Sequence, residues 1–328
     1  MNNIPKIHFI LPGGGVRGAF QAGFLYKLCK EYGDKFEIVR IDGTSVGSIN
    51  GFAIINNDLE KLRETWMNVT NVNDLFDNWS DTPVIGYLSS AYYGYHNSGL
   101  FSNSKLKNII KNTYDTGWEK TNKIEQDKYS CAVVNLENGK TKYVYGSDPN
   151  IVDYVTASAS PWVISNPVDI DGEQYADGSL LETYPIKHVN KCNANFTVIV
   201  GYDQEHFKYV SGDNRNLLTY LANLIDISRF NSLNTHKLKE LIDSGEVIGI
   251  ANPMTMLFVH FDNEAIKEGF STGEEFAESF YNTYINKKEA NHEDNGNDKD
   301  KDKDNATDLE ISDNSDNKIS ISQNQKLD

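Results

Sequence analysis

Apolar and polar positions along the chain predict strands and helices in alternation. Ile7-His8-Phe9-Ile10-Leu11 reads as a short buried strand, closed by Pro12 and three glycines. From Val16 to Tyr32, residues Ala19, Ala22, Leu25, Leu28 and Cys29 recur at helical spacing, and Gly33 fits a C-cap. Phe36 to Ile41, with Ile38, Val39 and Ile41, predicts a second short strand, and Ser48 to Ile55 the start of a buried helix. Asn57-Asp58 caps a helix from Leu59 to about Asn68, and Ser102 or Ser104 starts another that runs to about Asn112. Tyr129 to Val134 is a strand, Asn138-Gly139 a type I′ hairpin turn, and Thr141 to Tyr145 the returning strand. Ile151 to Ser160 is a helix of small residues. A second hairpin follows, Val168 to Ile170, then Asp171-Gly172, then Gln174-Tyr175. Phe196 to Val200 and Glu246 to Ile250 are further strands, Asn214 to about Ile242 is largely helical, and Thr272 to about Tyr284 is a C-terminal helix. This order implies an α/β fold of three layers, a mostly parallel sheet flanked by helices, with hairpins adding antiparallel edge strands.

Two stretches break the pattern. Residues 69–100 are irregular and aromatic-rich, with Phe76, Trp79, Tyr87, Tyr92, Tyr93 and Tyr95. They read as a packed insertion, or alternatively as a lid or lipid-facing surface touching membranes through 87–95. From 287 to 328 the charges alternate in sign, no aromatic residue occurs and no apolar period survives, which predicts a disordered tail after a domain spanning 6–286.

With 328 residues, 39% of them hydrophobic, the chain can bury one large core. It contains no apolar run of membrane-spanning length, and Met1 to Lys6 leads into the first strand without a signal-peptide pattern. The net charge of −16 argues against nucleic acid as a partner and against docking on anionic lipid by bulk charge. Cys29, Cys131 and Cys192 are too few and too scattered for a disulfide framework or a zinc site, and read as buried thiols in a reducing compartment. The expected location is therefore cytoplasmic, with peripheral membrane contact left open.

Gly43-Thr44-Ser45-Val46-Gly47 has the form Gly-x-Ser-x-Gly between a strand and a helix. A serine on such a turn projects its hydroxyl outward, the glycines leave room for a substrate, and the helix N-terminus favours a developing alkoxide. Between the first strand and first helix lies Gly13-Gly14-Gly15-Val16-Arg17-Gly18, a loop that offers unpaired backbone N–H groups to a phosphate or an oxyanion. The same residues match the dinucleotide fingerprint, with Asp42 near the ribose-binding position, but a P-loop is excluded because no Gly-Lys-Ser/Thr follows. The residue after Asp42 opens the serine turn, so nucleophile and N–H donors would face one crevice, as acyl transfer requires. Tyr175-Ala176-Asp177-Gly178-Ser179 supplies an acid at the end of a hairpin strand. His188, His206, His236 and His260 follow Asp177, so chain order alone leaves a Ser–Asp–His triad open.

These three motifs, in this order, resemble the patatin-like phospholipases. Ala157-Ser158-Ala159-Ser160-Pro161 and Asn135 to Gly139 also resemble that family, and the likeness covers roughly residues 6–200 well and the helices to about 285 more loosely. Ser179 departs from it, standing where the family usually has glycine or alanine. The resemblance implies a lipid acyl hydrolase of phospholipase A type working on a Ser–Asp dyad, with no cofactor and no metal. Ser45 would be the nucleophile, Asp177 the proton acceptor, and Gly13, Gly14, Gly15, Arg17 and Gly18 the oxyanion loop. Gly43 and Gly47 would shape the elbow, and Gly178 and Ser179 would complete the aspartate motif. Phospholipid or another lipid ester would be the substrate. Arg17 is expected either to meet a lipid phosphate or to brace the loop through a carboxylate. A non-lipid esterase or acyltransferase on the same dyad, or a silent lipid- or partner-binding module, are the competing readings.

Overall fold

The computed structural model describes residues 4–77, 98–118, 123–202, 217–230, 233–254, 256 and 258–286. The tyrosine-rich segment 87–95, Trp79, His206 and the charged stretch from 287 lie outside them.

Among the described residues eight strands form one sheet: β1 (Lys6–Leu11), β2 (Glu37–Thr44), β3 (Tyr129–Asn135), β4 (Lys140–Tyr145), β5 (Val168–Ile170), β6 (Glu173–Asp177), β7 (Phe196–Tyr202) and β8 (Ile248–Ala251). Their spatial order is β5-β6-β3-β2-β1-β7-β8, with β4 paired to β3 outside this path. The pairs β3–β2, β2–β1, β1–β7 and β7–β8 are parallel, and only the hairpin strands run antiparallel. Among the described residues the α-helices are α1 (Gly18–Tyr32), α2 (Val46–Ile55), α3 (Leu59–Asn68), α4 (Ser104–Trp118), α5 (Lys123–Gln126), α6 (Ile151–Ser158), α7 (Leu217–Phe230), α8 (Leu233–Asp243) and α9 (Asn263–Phe280). None is long and apolar enough to cross a membrane.

Alternation along β1 divides the interior. Ile7, Phe9 and Leu11 enter the main core with α1 and α9, where Phe20 and Phe24 meet Phe276 and Phe280 edge-on. Ile10 points the other way and packs with Tyr184, Ile186, Leu238 and Ile242, so both faces of the sheet are covered. Phe76 and Phe101, at the two ends of the aromatic-rich stretch, are buried in a third small cluster with Ile164, Ile225 and Phe258.

Several boundaries differ from the sequence reading. β2 continues through Asp42 and Gly43 to Thr44, because those polar residues are paired with β1 and β3 inside the sheet. The largely helical stretch expected over 214–242 holds two helices, α7 and α8. The last helix starts at Asn263, where the Asp262 side chain accepts the Ala265 N–H at 2.9 Å, and ends in a π turn over Tyr281–Ile285. Of the three thiols only Cys131 is fully buried; Cys29 and Cys192 are half-buried, and all three are free.

The type I′ turn forms in the second hairpin and not in the first. Asp171 and Gly172 both have positive φ (55° and 83°) and close β5 onto β6 in two residues, as a type I′ turn requires. Asn138-Gly139 does not form the expected type I′ turn, because Asn135 pairs with Lys140 across a four-residue loop. Asn135 Oδ1 accepts the N–H groups of Glu137 and Asn138 at 2.9 and 3.2 Å, which keeps the chain in a wider turn.

Candidate active site

β1 and β2 are parallel neighbours, so the loop after Leu11 and the turn after Thr44 emerge side by side at their carboxyl ends. Thr44 is in register with Ala132 of β3, and the next residue of β3, Val133, with Asp177 of β6. Strand register alone therefore brings Ser45 and Asp177 to one level of the sheet, although 132 positions separate them in sequence (177 − 45).

Ser45 sits at φ 55°, ψ −128°, just ahead of α2. A non-glycine residue in that region costs about 1–3 kcal/mol and persists only where its surroundings hold it. Its N–H donates to Ser158 Oγ at 3.0 Å, Ser158 Oγ donates to the Ala132 carbonyl at 2.7 Å, and Ser48 Oγ donates to the Ser45 carbonyl at 2.6 Å. Gly47 lies so close to β1 that a Cβ there would stand 2.1 Å from the Leu11 carbonyl oxygen.

Asp177 is 4% exposed and accepts the Ser179 N–H at 2.8 Å. Burial pushes its carboxyl up to about 6; the Ser179 amide, the Ser45 and Ser179 hydroxyls and the Arg229 charge oppose that rise. A carboxylate of this kind is ionised at neutral pH and is basic enough to accept a proton.

Gly13 presses on both motifs: a Cβ would lie 2.3 Å from Ser179 Oγ and 2.9 Å from Ser45 Cβ. Gly13→Ala is accordingly expected to displace Ser45 and lower turnover by about 10²-fold. Steady-state hydrolysis of a soluble ester by the folded variant checks this, and wild-type turnover would refute the packing argument. The Gly13 N–H donates to the Thr183 carbonyl at 3.3 Å, whereas no backbone hydrogen bond from the Gly14 or Gly15 amide occurs among the described residues.

An apolar cavity of about 100 Å³ opens at this point. Gly14, Gly15, Ser45, Asp177 and Arg229 line its polar end, and Ile49, Trp66, Ile110, Trp162, Ile225 and Phe258 are among its apolar walls. Trp66 is held in place by donating Nε1–H to Asn50 Oδ1 at 3.0 Å. Among the described residues no group of His, Cys, Asp and Glu is arranged to hold a metal ion.

Arg17 is buried. It donates to Asp226 Oδ1 at 2.6 Å and through Nε to the Gly14 carbonyl at 3.3 Å, which is the bracing arrangement. Asp42, which the fingerprint reading placed near a ribose, is wholly buried among His8, His188, Arg40 and Ser130. Burial alone would raise its carboxyl; the bonds to His188 and His8 and the Arg40 charge outweigh that and hold it well below the usual carboxylate range. His188 Nδ1 lies 3.0 Å from Asp42 and its Nε2 3.2 Å from the Tyr145 hydroxyl, away from Ser45. His236 and His260 are exposed, and no histidine lines the cavity among the described residues. His188→Ala is therefore expected to cost about 1–3 kcal/mol of stability and leave turnover per folded molecule unchanged. Denaturant unfolding with activity per active site checks both, and a loss of turnover without a loss of stability would restore the triad.

Sequence reasoning did not single out Asp226 and Arg229. Arg229 donates to Asp226 at 2.6 Å and to the Gly13 carbonyl, so α7 reaches the glycine loop from 216 residues away. The available signal was their isolation, since they are the only charged residues in the 14-residue run of α7.

Fold and site together define a three-layer α/β protein with a serine at a strand-to-helix elbow facing a buried aspartate. The sequence pattern of the family described as patatin-like phospholipase matches residues 9–189, more than half of the chain, and the chain belongs to that family. Uncharacterized protein YjjU of Escherichia coli (strain K12) is 23% identical over 201 residues, covering 60% of this chain. The chain spans about half (51%) of that relative's length. The crystal structure of VipD from Legionella pneumophila is similar with a TM-score of 0.41 and 12% identity, over 84% of this chain and 67% of that one.

Proposed function

We propose that the protein is a serine esterase that hydrolyses fatty-acyl esters of lipids, of phospholipase A type. The observation that carries this reading is the pairing of Ser45, held at φ 55° on the elbow, with the buried Asp177 at the mouth of an apolar cavity. Asp177 accepts the Ser45 proton as Oγ attacks the ester carbonyl carbon. Negative charge on the carbonyl oxygen is met by the amides of the glycine loop, with those of Gly14 and Gly15 free of backbone partners. Collapse of the intermediate expels the alcohol, which takes the proton from Asp177 and leaves an acyl-serine. Asp177 then takes a proton from water as the water oxygen attacks the acyl carbon, and returns it to Ser45 Oγ as the acyl–serine bond breaks and the fatty acid leaves. The apolar walls, including Ile49, Trp66 and Phe258, suit an acyl chain better than a charged or sugar-bearing group.

The test is reaction of the purified full chain with a fluorophosphonate probe, mapped by peptide mass, followed by hydrolysis of phospholipid vesicles and of a short soluble ester. Modification at Ser45 together with fatty-acid release is the expected result. A chain that neither reacts at Ser45 nor releases fatty acid would overturn the reading. Reaction at Ser45 with hydrolysis of the soluble ester only would limit it to a non-lipid esterase.

A further inference from the structure

α7 carries both of its charges on its buried side, beside Ala222 and Ile225. Tyr220 and Leu224 on it are 55% and 37% exposed, while its two charges, Asp226 and Arg229, are 3% and 4% exposed. Burying an ion pair on a surface helix seldom stabilises a fold relative to apolar side chains of like size, so its placement calls for another reason. The reason lies in what it touches. Asp226 Oδ1 accepts from both Arg17 and Arg229 at 2.6 Å, and the two guanidinium groups in turn donate to consecutive carbonyls of the glycine loop, Arg229 to Gly13 and Arg17 to Gly14.

In a trans peptide the C=O and the N–H of one unit point in opposite directions, and no cis bond occurs among the described residues. Fixing the Gly13 carbonyl on Arg229 therefore sends the Gly14 N–H to the other side of the loop, and fixing the Gly14 carbonyl on Arg17 does the same for the Gly15 N–H. A peptide between two glycines turns over readily, because neither neighbour has a Cβ to resist it. Turned over, it would present a carbonyl oxygen where the negative charge of the intermediate develops. Resting on the Ser45–Asp177 reading above, we propose that Arg229 and Asp226 are positioning residues of the esterase. With Arg17 they lock the Gly13–Gly14 and Gly14–Gly15 peptides in the donor orientation that the oxyanion needs. Arg229 has a second effect through its charge. The groups facing the Asp177 carboxylate are the Ser179 amide, the Ser45 and Ser179 hydroxyls and Arg229, which is the one cation among the described residues that line the cavity.

The experiment compares the wild-type chain with Arg229→Met, Arg229→Lys and Asp226→Asn on a soluble short-chain p-nitrophenyl ester, with kcat, KM and the pH profile of kcat/KM measured separately. Arg229→Met should lower kcat about 10- to 100-fold with KM little changed, as for loss of an oriented oxyanion donor. It should also move the acid limb to higher pH, because a positive charge that favours the ionised carboxylate is gone. Arg229→Lys keeps the charge but not the fork that serves Asp226 and Gly13 at once, so kcat should fall with the acid limb in place. Asp226→Asn should fall between wild type and Arg229→Met in kcat. Wild-type kcat in folded Arg229→Met, or a lowered kcat with an unmoved acid limb, would overturn the proposal. If Arg229→Met does not fold, Arg229→Lys decides: lowered kcat at an unmoved limb supports the clamp, and wild-type kcat overturns it. A wild-type chain with no esterase activity and no fluorophosphonate reaction would overturn the dyad reading and this inference with it. A reactive wild type with unaffected variants overturns this inference alone.

Discussion

Replacing Ser45 by alanine is expected to abolish ester hydrolysis while the protein still folds. The hydroxyl is the proposed nucleophile, and removal of a nucleophilic serine from such a unit costs about 10⁴-fold or more in turnover. The effect on folding should be small. The backbone at position 45 is held by its neighbours through Ser158, Ser48 and the Ser45 main chain, none of which uses the lost oxygen. Alanine fits the same φ of 55° no better and no worse than serine. The measurement is steady-state hydrolysis by purified Ser45→Ala at matched circular dichroism, with fluorophosphonate labelling as the second readout. Turnover near the wild-type level in the folded variant would remove Ser45 from the mechanism.

Asp177→Asn is expected to lose activity on a similar scale and at the same time to stabilise the fold. An amide cannot accept the serine proton, so the dyad fails. The stability gain follows from the carboxyl's environment. Its folded value is raised from 3.8 to about 6 by burial, so the wild-type chain is at its most stable, with respect to this group, below the unfolded value near 4. That contribution is lost as pH rises through about 6. A difference of about two pH units corresponds to about 3 kcal/mol at neutral pH, an upper bound on what the neutral amide would restore. Melting of Asp177→Asn should therefore exceed that of the wild type at pH 8, and the difference should vanish only well below the unfolded value near 4, where the carboxyl is protonated in both folded and unfolded chains. On the proposed mechanism the same titration is expected to make kcat/KM of the wild-type chain fall as pH drops below about 6, since the protonated acid cannot act as base. A variant that melts lower than the wild type at pH 8 would show that Asp177 holds the fold together rather than working against it.

The alternation of apolar runs and glycine-rich breaks was enough to predict an α/β sheet with hairpin edges, because burial on both faces of a parallel strand leaves a continuous apolar run that sequence displays directly. The elbow at Ser45, the loop at Gly13 to Gly18 and the aspartate that ends β6 were legible for a related reason. Each is a turn whose backbone demands glycine or small residues at fixed short offsets, and such demands are local. Locality also explains where the reading failed. Asn138-Gly139 carries the stronger hairpin signal, yet the type I′ turn forms at Asp171-Gly172, because the Asn135 side chain captures two N–H groups and widens the first turn.

What the sequence by itself determined was therefore the order of the elements, the family and the three short motifs. What only the tertiary structure decided was which side chains those motifs meet. Arg17 had two partners open to it, and the fold assigned it Asp226, more than 200 residues away. Asp42 sat where a ribose-binding acid could stand, and the register of β1, β2 and β3 enclosed it with His8 and Ser130. His188 followed Asp177 as a triad histidine would, and the face of the sheet it covers directed it to Asp42 instead. Arg229 left no trace beyond being one of two charges in an apolar helix. The physical reason is the same in each case. Periodicity and turn chemistry act over a few residues and are written along the chain, whereas the partner of a buried charge is fixed by how strands pair and helices pack across it.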